Sequence, residues 1–192
     1  MKKQDYFVKE YSYIKKKKYV DNLKIMIGLL PDYFFEVPAS STGKYHPEFS
    51  LGNGGLLRHS KFAAKLAYEM YNDESITGTF NQDEKDLMIF ALLLHDGLKS
   101  GLEKSEYTKF DHPILMANYI RENSDKLTLT KGEIEFIATC IETHMGPWTT
   151  DYKGNEILKK PVNKYQKFVH MCDYLASRKF INTKYKDNDL LD

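Results

Sequence analysis

An all-α fold of about six or seven helices is what this sequence predicts, on three observations. Apolar residues recur at helical spacing in one segment after another, and no stretch alternates convincingly as a strand. Gly and Pro fall between those segments, where helices must stop. The densest apolar run, Phe90-Ala91-Leu92-Leu93-Leu94, carries straight into His95-Asp96, with Lys99 three residues on. An ionised Asp in apolar surroundings is costly unless something compensates it. A bound divalent cation is a compensation that also suits a neutral imidazole next door.

Residues 1–30 are rich in Tyr and Lys, then turn apolar through Leu23, Ile25, Met26, Ile27, Leu29 and Leu30, which predicts a helix ending at Gly28–Pro31. The run Lys15-Lys16-Lys17-Lys18 among tyrosines reads as a solvated helix face, with a nucleic-acid contact as the alternative. From Pro31 to Gly55 the chain is irregular. It holds Phe34, Phe35 and His46, so a packed loop near a site is expected. A second helix, about 56–72, places Leu56, His59, Ala63, Leu66, Ala67 and Met70 on one stripe. A third, about 82–98, starts at a cap on Asn81 or Thr79 and sets Leu87, Ala91, Leu94, His95 and Leu98 on one face, with Asp96 at its edge.

After a loop over 97–108, Asp111-His112-Pro113 opens a fourth helix, with proline where its missing N–H costs least. His112 lines up there with Leu115, Met116 and Tyr119. A fifth helix, about 130–145, carries Ile134, Ile137, Ala138, Ile141 and His144 and stops at Gly146-Pro147. Trp148 to Lys160 reads as a loop. Pro161 starts the last helix, with Val162, Tyr165, Val169, Cys172, Asp173 and Ala176 on one face. From Asn182 the tail is polar and expected to fray.

A chain of 192 residues with 42% hydrophobic content suits a single domain over 1–192: a core of about 32–178, a helical extension over 1–30 and a tail over 182–192. With 28 basic and 27 acidic residues, the net charge of +1 gives no argument for a polyanionic partner. Cys140 and Cys172 lie in apolar helical patterns and read as reduced, buried thiols. No run of 18 apolar residues and no apolar signal core is present, so a cytoplasmic protein off the membrane is expected. Oligomeric state is left open.

Taken singly, a His on an apolar face is an ordinary hydrogen-bonded core residue. Here five helices each bring His or Asp to the stripe that should be apolar: His59, His95 with Asp96, His112, His144 and Asp173. Such groups converging without a shared partner would drain a stability of only about 5–15 kcal/mol. Imidazole with carboxylate suits Mn, Fe, Zn, Ni or Mg. Six candidates exceed one ion's usual protein ligands and fit two divalent metal ions bridged by a carboxylate, for which Asp96 is the natural choice. Two such ions suit phosphate-ester hydrolysis, activating water and stabilising developing charge.

These residues resemble a known signature. His59…His95-Asp96…Asp173 looks like the H…HD…D pattern of the HD-domain metal-dependent phosphohydrolases, and Lys99 matches that family's HD-x-x-K lysine. The resemblance implies His112 and His144 as the extra histidines of members with a two-metal centre. The familiar His-Asp-Ile-Gly-Lys is here His-Asp-Gly-Leu-Lys, so the local turn is expected to differ. The stretch Phe34…Pro38-Ala39-Ser40…Tyr45-His46…Gly54-Gly55-Leu56-Leu57-Arg58-His59-Ser60 resembles the segment before the first ligand in the branch containing Gram-positive 3′–5′ exoribonucleases. Thr143-His144-Met145-Gly146 and Asp173-Tyr174-Leu175-Ala176-Ser177-Arg178 fit that branch too. Those exoribonucleases carry an added OB domain for which this chain has no room.

The function this implies is a metal-dependent phosphohydrolase or phosphodiesterase acting on a nucleotide or short oligonucleotide. Asp96 and Lys99 would carry the chemistry, and His46, Arg58, Trp148 and Arg178 would hold phosphate or stack a base. The alternative is a catalytically silent nucleotide- or partner-binding module on the same scaffold. A complete ligand set argues against it, since a pure binding module has no need of two metals.

Overall fold

Every side chain from Met88 to Leu94 is fully buried. These residues belong to α5 (Gln82–Leu94), the central helix of the bundle. A helix that is apolar on all sides belongs in the middle of a bundle. Its weak amphipathy, which the expectation of a single inward face missed, therefore marks a central position. The computed structural model describes residues 2–40, 43, 46–181, 183–186 and 188–191. Ser41, Thr42 and Tyr45 of the loop before the first candidate ligand, and Asn182 at the start of the polar tail, lie outside the described residues.

The fold is all-α. The described residues form eight α-helices: α1 (Val8–Tyr11), α2 (Lys17–Leu29), α3 (Gly55–Met70), α4 (Glu74–Thr77), α5, α6 (His112–Glu122), α7 (Lys131–Glu142) and α8 (Lys164–Ala176). Short 3₁₀ turns span Lys3–Phe7, Asp32–Phe35, Glu48–Ser50 and Ser124–Lys126. The helices α2, α3, α7 and α8 contact α5, α3 packs on α8, and α6 lies on α7. The N-terminal stretch divides into a 3₁₀ turn and two helices. It gives Phe7, Tyr13, Tyr19, Leu23 and Met26 to the same hydrophobic cluster as α3 and α5. Phe34 and Phe35, from the irregular loop, join that cluster, so the loop is packed as expected.

Side-chain caps set the starts of α4, α5, α7 and α8. Asn81 and Glu84 form a capping box at the start of α5, and Thr130 and Glu133 another at α7. The last helix begins at Lys164 and not at Pro161, because the Asn163 side chain accepts from the backbone N–H groups of Tyr165 and Gln166. Val162, expected on the inner face, is consequently exposed. Helix α5 stops at Leu94 rather than near 98, and α7 stops at Glu142 rather than near 145. His95 caps α5, and the chain then tightens through i→i+3 bonds from Gly97 to Leu94 and from Lys99 to Asp96. Gly97 has no room for a side chain: a Cβ there would lie 2.7 Å from Leu30 Cδ2 and 2.8 Å from Met116 Sδ.

The tail also departs from expectation. Instead of fraying, Tyr185–Lys186 pairs antiparallel with Asp189–Leu190. The Tyr185 hydroxyl donates to Arg58 O, and Lys61 Nζ donates to Asp189 Oδ1 at 2.8 Å. Tyr185 also stacks on Phe49 and Leu190 packs on the core, two isolated contacts too few to leave a periodic apolar pattern. The tetralysine run behaves as a solvated face: Lys16, Lys17 and Lys18 pair with Asp83, Asp21 and Glu133.

Asp86 anchors the N-terminal segment to α5. Its buried carboxylate accepts the backbone N–H groups of Lys15 (3.1 Å) and Lys16 (2.8 Å) and the Gln82 side chain (2.7 Å). Replacing it with Ala leaves those N–H groups without an acceptor. Asp86→Ala is expected to lower stability by about 1–3 kcal/mol. An unchanged urea midpoint would refute that anchoring role.

Candidate metal centre

His59 comes from α3, His95 and Asp96 from the end of α5, His112 from the start of α6, His144 from the turn after α7, and Asp173 from α8. All meet in the interior, and all but the fully buried His95 line a cleft of about 550 Å³. Three of the histidines are placed alike. Nδ1 of His95 lies 2.7 Å from Leu92 O, that of His112 2.7 Å from Lys109 O, and that of His144 2.8 Å from Ile141 O. A carbonyl only accepts, so each Nδ1 carries the proton and donates. Each Nε2 of a neutral ring then turns a bare lone pair into the cluster.

Those lone pairs face each other and the carboxylates. His112 Nε2 and His144 Nε2 are 3.3 Å apart, as are His95 Nε2 and His59 Nε2. Asp173 Oδ1 lies 2.9 Å from His59 Nε2 and 3.3 Å from His95 Nε2. The two oxygens of Asp96 divide the cluster. Oδ1 lies 3.0 Å from His112 Nε2 and 3.7 Å from His144 Nε2. Oδ2 receives Lys99 Nζ at 2.5 Å and stands 3.6 Å from His95 Nε2 and 3.8 Å from His59 Nε2. Asp96 Oδ1 is buried and accepts no hydrogen bond. Buried acceptors turned on one another are costly unless a cation joins them.

Among the described residues, two groups have the spacing to hold an ion. The ligand atoms of His59, His95 and Asp173 lie within 4.8 Å of one another, and so do those of His95, Asp96 and His144. His112 adjoins the second group through Asp96 and His144.

Charge is sharply partitioned. Burial, with the His95 and His112 imidazoles beside it, pushes His144 down to about 3. Burial with His59 and Lys99 nearby pushes His46 down to about 3 as well. Burial also opposes charge on His95, but the Asp96 and Asp173 carboxylates outweigh it and hold its pKa above the usual imidazole value. For Asp96, burial works upward, yet Lys99, His95 and His112 together hold it well below the ordinary carboxylate range.

The cleft also brings together His46, Lys99, Trp148 and Arg178. The His46 ring stands edge-on to His59, centroids 5.2 Å apart, with its Nδ1 buried and unpartnered. Arg58 is the exception and corrects an expectation. One residue from His59 is about 100° round the helix, and its guanidinium is turned onto the loop before α3. There it donates to Phe49 O, Leu51 O, Asn53 O and Asn188 Oδ1, outside the cleft lining. Thr108, Phe110 and Tyr174 line the cleft without having been expected there as contacts. His170, also missed, donates from Nδ1 to His144 O at 2.6 Å. Its four-residue interval from Tyr174 was the available signal.

A helical bundle whose interior holds imidazoles and carboxylates at this spacing is built to hold metal ions. A family model described as the HD domain matches residues 56–178, more than half of the chain and every candidate ligand. The protein belongs to the HD-domain family, whose members are in general metal-dependent hydrolases. No curated protein and no solved structure matches the chain.

The divided charges have a measurable consequence in metal-free protein. Below 6.5 the unfolded chain takes up protons that folded His46 and His144 refuse down to about 3. Their share of the stability is therefore lost as pH falls through that window. His95 acts with the opposite sign, its share full below 6.5 and lost as pH rises through its raised value. Imidazole NMR is expected to show one ring titrating above 6.5 and two still neutral well below it. Six rings titrating together near 6.5 would refute this partition.

Proposed function

We propose that this protein is a phosphohydrolase that works at a two-ion centre on a nucleotide or short oligonucleotide. The observation that carries the reading is the buried Asp96 carboxylate, one oxygen bare beside His112 and His144, the other on Lys99 near His59 and His95. His59, His95, Asp173 and Asp96 would hold one divalent ion, and Asp96, His112 and His144 the other. Such a donor set suits Mn, Fe, Ni, Zn or Mg. Bound there, two ions would supply an activated water and stabilise negative charge on a phosphoryl group.

The chain's own groups do the rest. The carbonyls of Leu92, Lys109 and Ile141 fix three imidazoles in the tautomer that presents Nε2. Lys99 keeps a positive charge on the cleft side of Asp96, where a phosphoryl oxygen would need one. The cleft lining carries two cationic side chains, Lys99 and Arg178, among the described residues. That supports a substrate with few phosphates, since long polyanions are held by many Lys and Arg contacts. Buried free thiols at Cys140 and Cys172 suit a reducing compartment such as the cytoplasm.

Metal counting tests the arrangement. Wild-type protein is expected to hold two ions per chain, Asp96→Ala neither, and His112→Ala or His144→Ala one with much slower turnover. If the two His variants keep both ions and full turnover, the second position is wrong. Lys99→Ala is expected to keep both ions while turnover of a nucleotide panel, cyclic and oligomeric forms included, falls by about 10²–10³. A rate within twofold of wild type would remove Lys99 from the chemistry.

A further inference from the structure

The ion-binding groups account for the floor of the cleft but not for the aromatic group at its mouth. His170 and Tyr174 lie four residues apart on one face of α8, beside Asp173, and Arg178 follows just past the end of that helix. Trp148 lies on that face. Its ring is 5.8 Å from Tyr174 with the planes only 15° apart, an offset stack. The Arg178 guanidinium sits 4.2 Å from the Tyr174 ring centre, and two of its nitrogens are occupied by Tyr174 O and Ser177 Oγ.

The Trp148 ring is also held from behind. His170 meets it edge-on at 6.0 Å and donates to the backbone oxygen of His144. Gly146, at φ +65°, lets the chain turn this tightly: a Cβ there would lie 2.2 Å from His170 Cε1. The indole is thus tied to the backbone of a candidate ligand, yet it remains 50% exposed and Tyr174 remains 37% exposed. Both rings line the cleft that contains Asp96 and Lys99. A large ring held this firmly, and left half in water beside a phosphate site, is a stacking surface prepared for a planar group.

We propose that Trp148 and Tyr174 form a platform for a single nucleobase, so that the site selects phosphate esters bearing an aromatic ring over sugar phosphates without one. The inference rests on the phosphohydrolase reading for where the phosphate lies, and adds the group recognised beyond it. Tyr174 is already flanked by Trp148 and Arg178, so the exposed indole face offers space for one base. Stacking is indifferent to base identity, so purines and pyrimidines are both accepted.

Trp148 is the sole tryptophan, so its emission reports the platform directly. Purified protein is titrated with adenosine 5′-monophosphate and with ribose 5-phosphate. The nucleotide is expected to quench saturably, and the sugar phosphate to leave the emission unchanged. Tyr174→Leu is expected to weaken nucleotide binding by about tenfold to a hundredfold, and Tyr174→Phe, which keeps the ring, to restore it. Equal responses to both ligands, or unchanged nucleotide affinity in Tyr174→Leu, would overturn the platform. Hydrolysis is followed separately. Saturable quenching without hydrolysis of any phosphate ester upholds the platform and defeats the phosphohydrolase reading. Equal hydrolysis of both compounds without quenching does the reverse.

Discussion

The interior depends on one buried carboxylate. Asp96 sits among four imidazoles and one ammonium group, and its two oxygens face different sets of them. Burying a charge is tolerable only where opposite charge and hydrogen bonds surround it. The rest of the cluster can be understood from that requirement. Lys99 lies one turn beyond on the same short segment, His95 precedes it directly, and His112 and His144 are brought from α6 and the end of α7 to its other oxygen. A carboxylate with two separated faces is also the simplest bridge between two cations.

Placing Asp96 there requires α5 to run through the middle of the bundle and stop at the right point. Its apolar residues from Met88 to Leu94 are buried on every side, so its position is set by four neighbouring helices at once. The chain then leaves the helix at His95, and Gly97 passes against Leu30 and Met116, where no side chain fits. Leu30 ends the N-terminal helical segment. The extension is therefore part of what shapes the turn bearing the cluster, and Asp86 holds the same extension to the start of α5. Packing against α5 at both ends couples a stretch that bears no candidate ligand to the geometry of the ligands.

The cluster is joined to the aromatic group at the cleft mouth through the His144 carbonyl and the His170 ring. His144 donates to Ile141 O while its own carbonyl accepts from His170, whose ring supports Trp148. A short turn with Gly146 at positive φ thus links a group on the cleft floor to an aromatic surface at the cleft mouth. The loop before α3 is held from the opposite side by Arg58, which brings His46 beside His59. The cleft is walled by segments that are themselves braced, which favours a preorganised site.

Much of this was legible in the sequence because burial leaves a periodic trace. Helical spacing marked the long helices, and His59, His95, Asp96, His112, His144 and Asp173 stood out as polar residues on stripes that should be apolar. That contrast needs only local order, since a side chain's face follows from its position along a helix. The ends of α5 and α7 were less legible, because where a helix stops depends on what it meets, here Leu30, Met116 and His170. The role of Arg58 was hidden for a related reason: adjacency to His59 in the chain says nothing of the carbonyls that a loop folds back to offer it. The small C-terminal ribbon is held by isolated contacts to Arg58, Lys61 and Phe49, far away in sequence, and such contacts have no period to read. The sequence by itself determined the all-α class and the set of groups that converge. Only the tertiary structure decided which oxygen of Asp96 faces which imidazoles and which aromatic rings stand at the cleft mouth, because those depend on distances between segments that are remote along the chain.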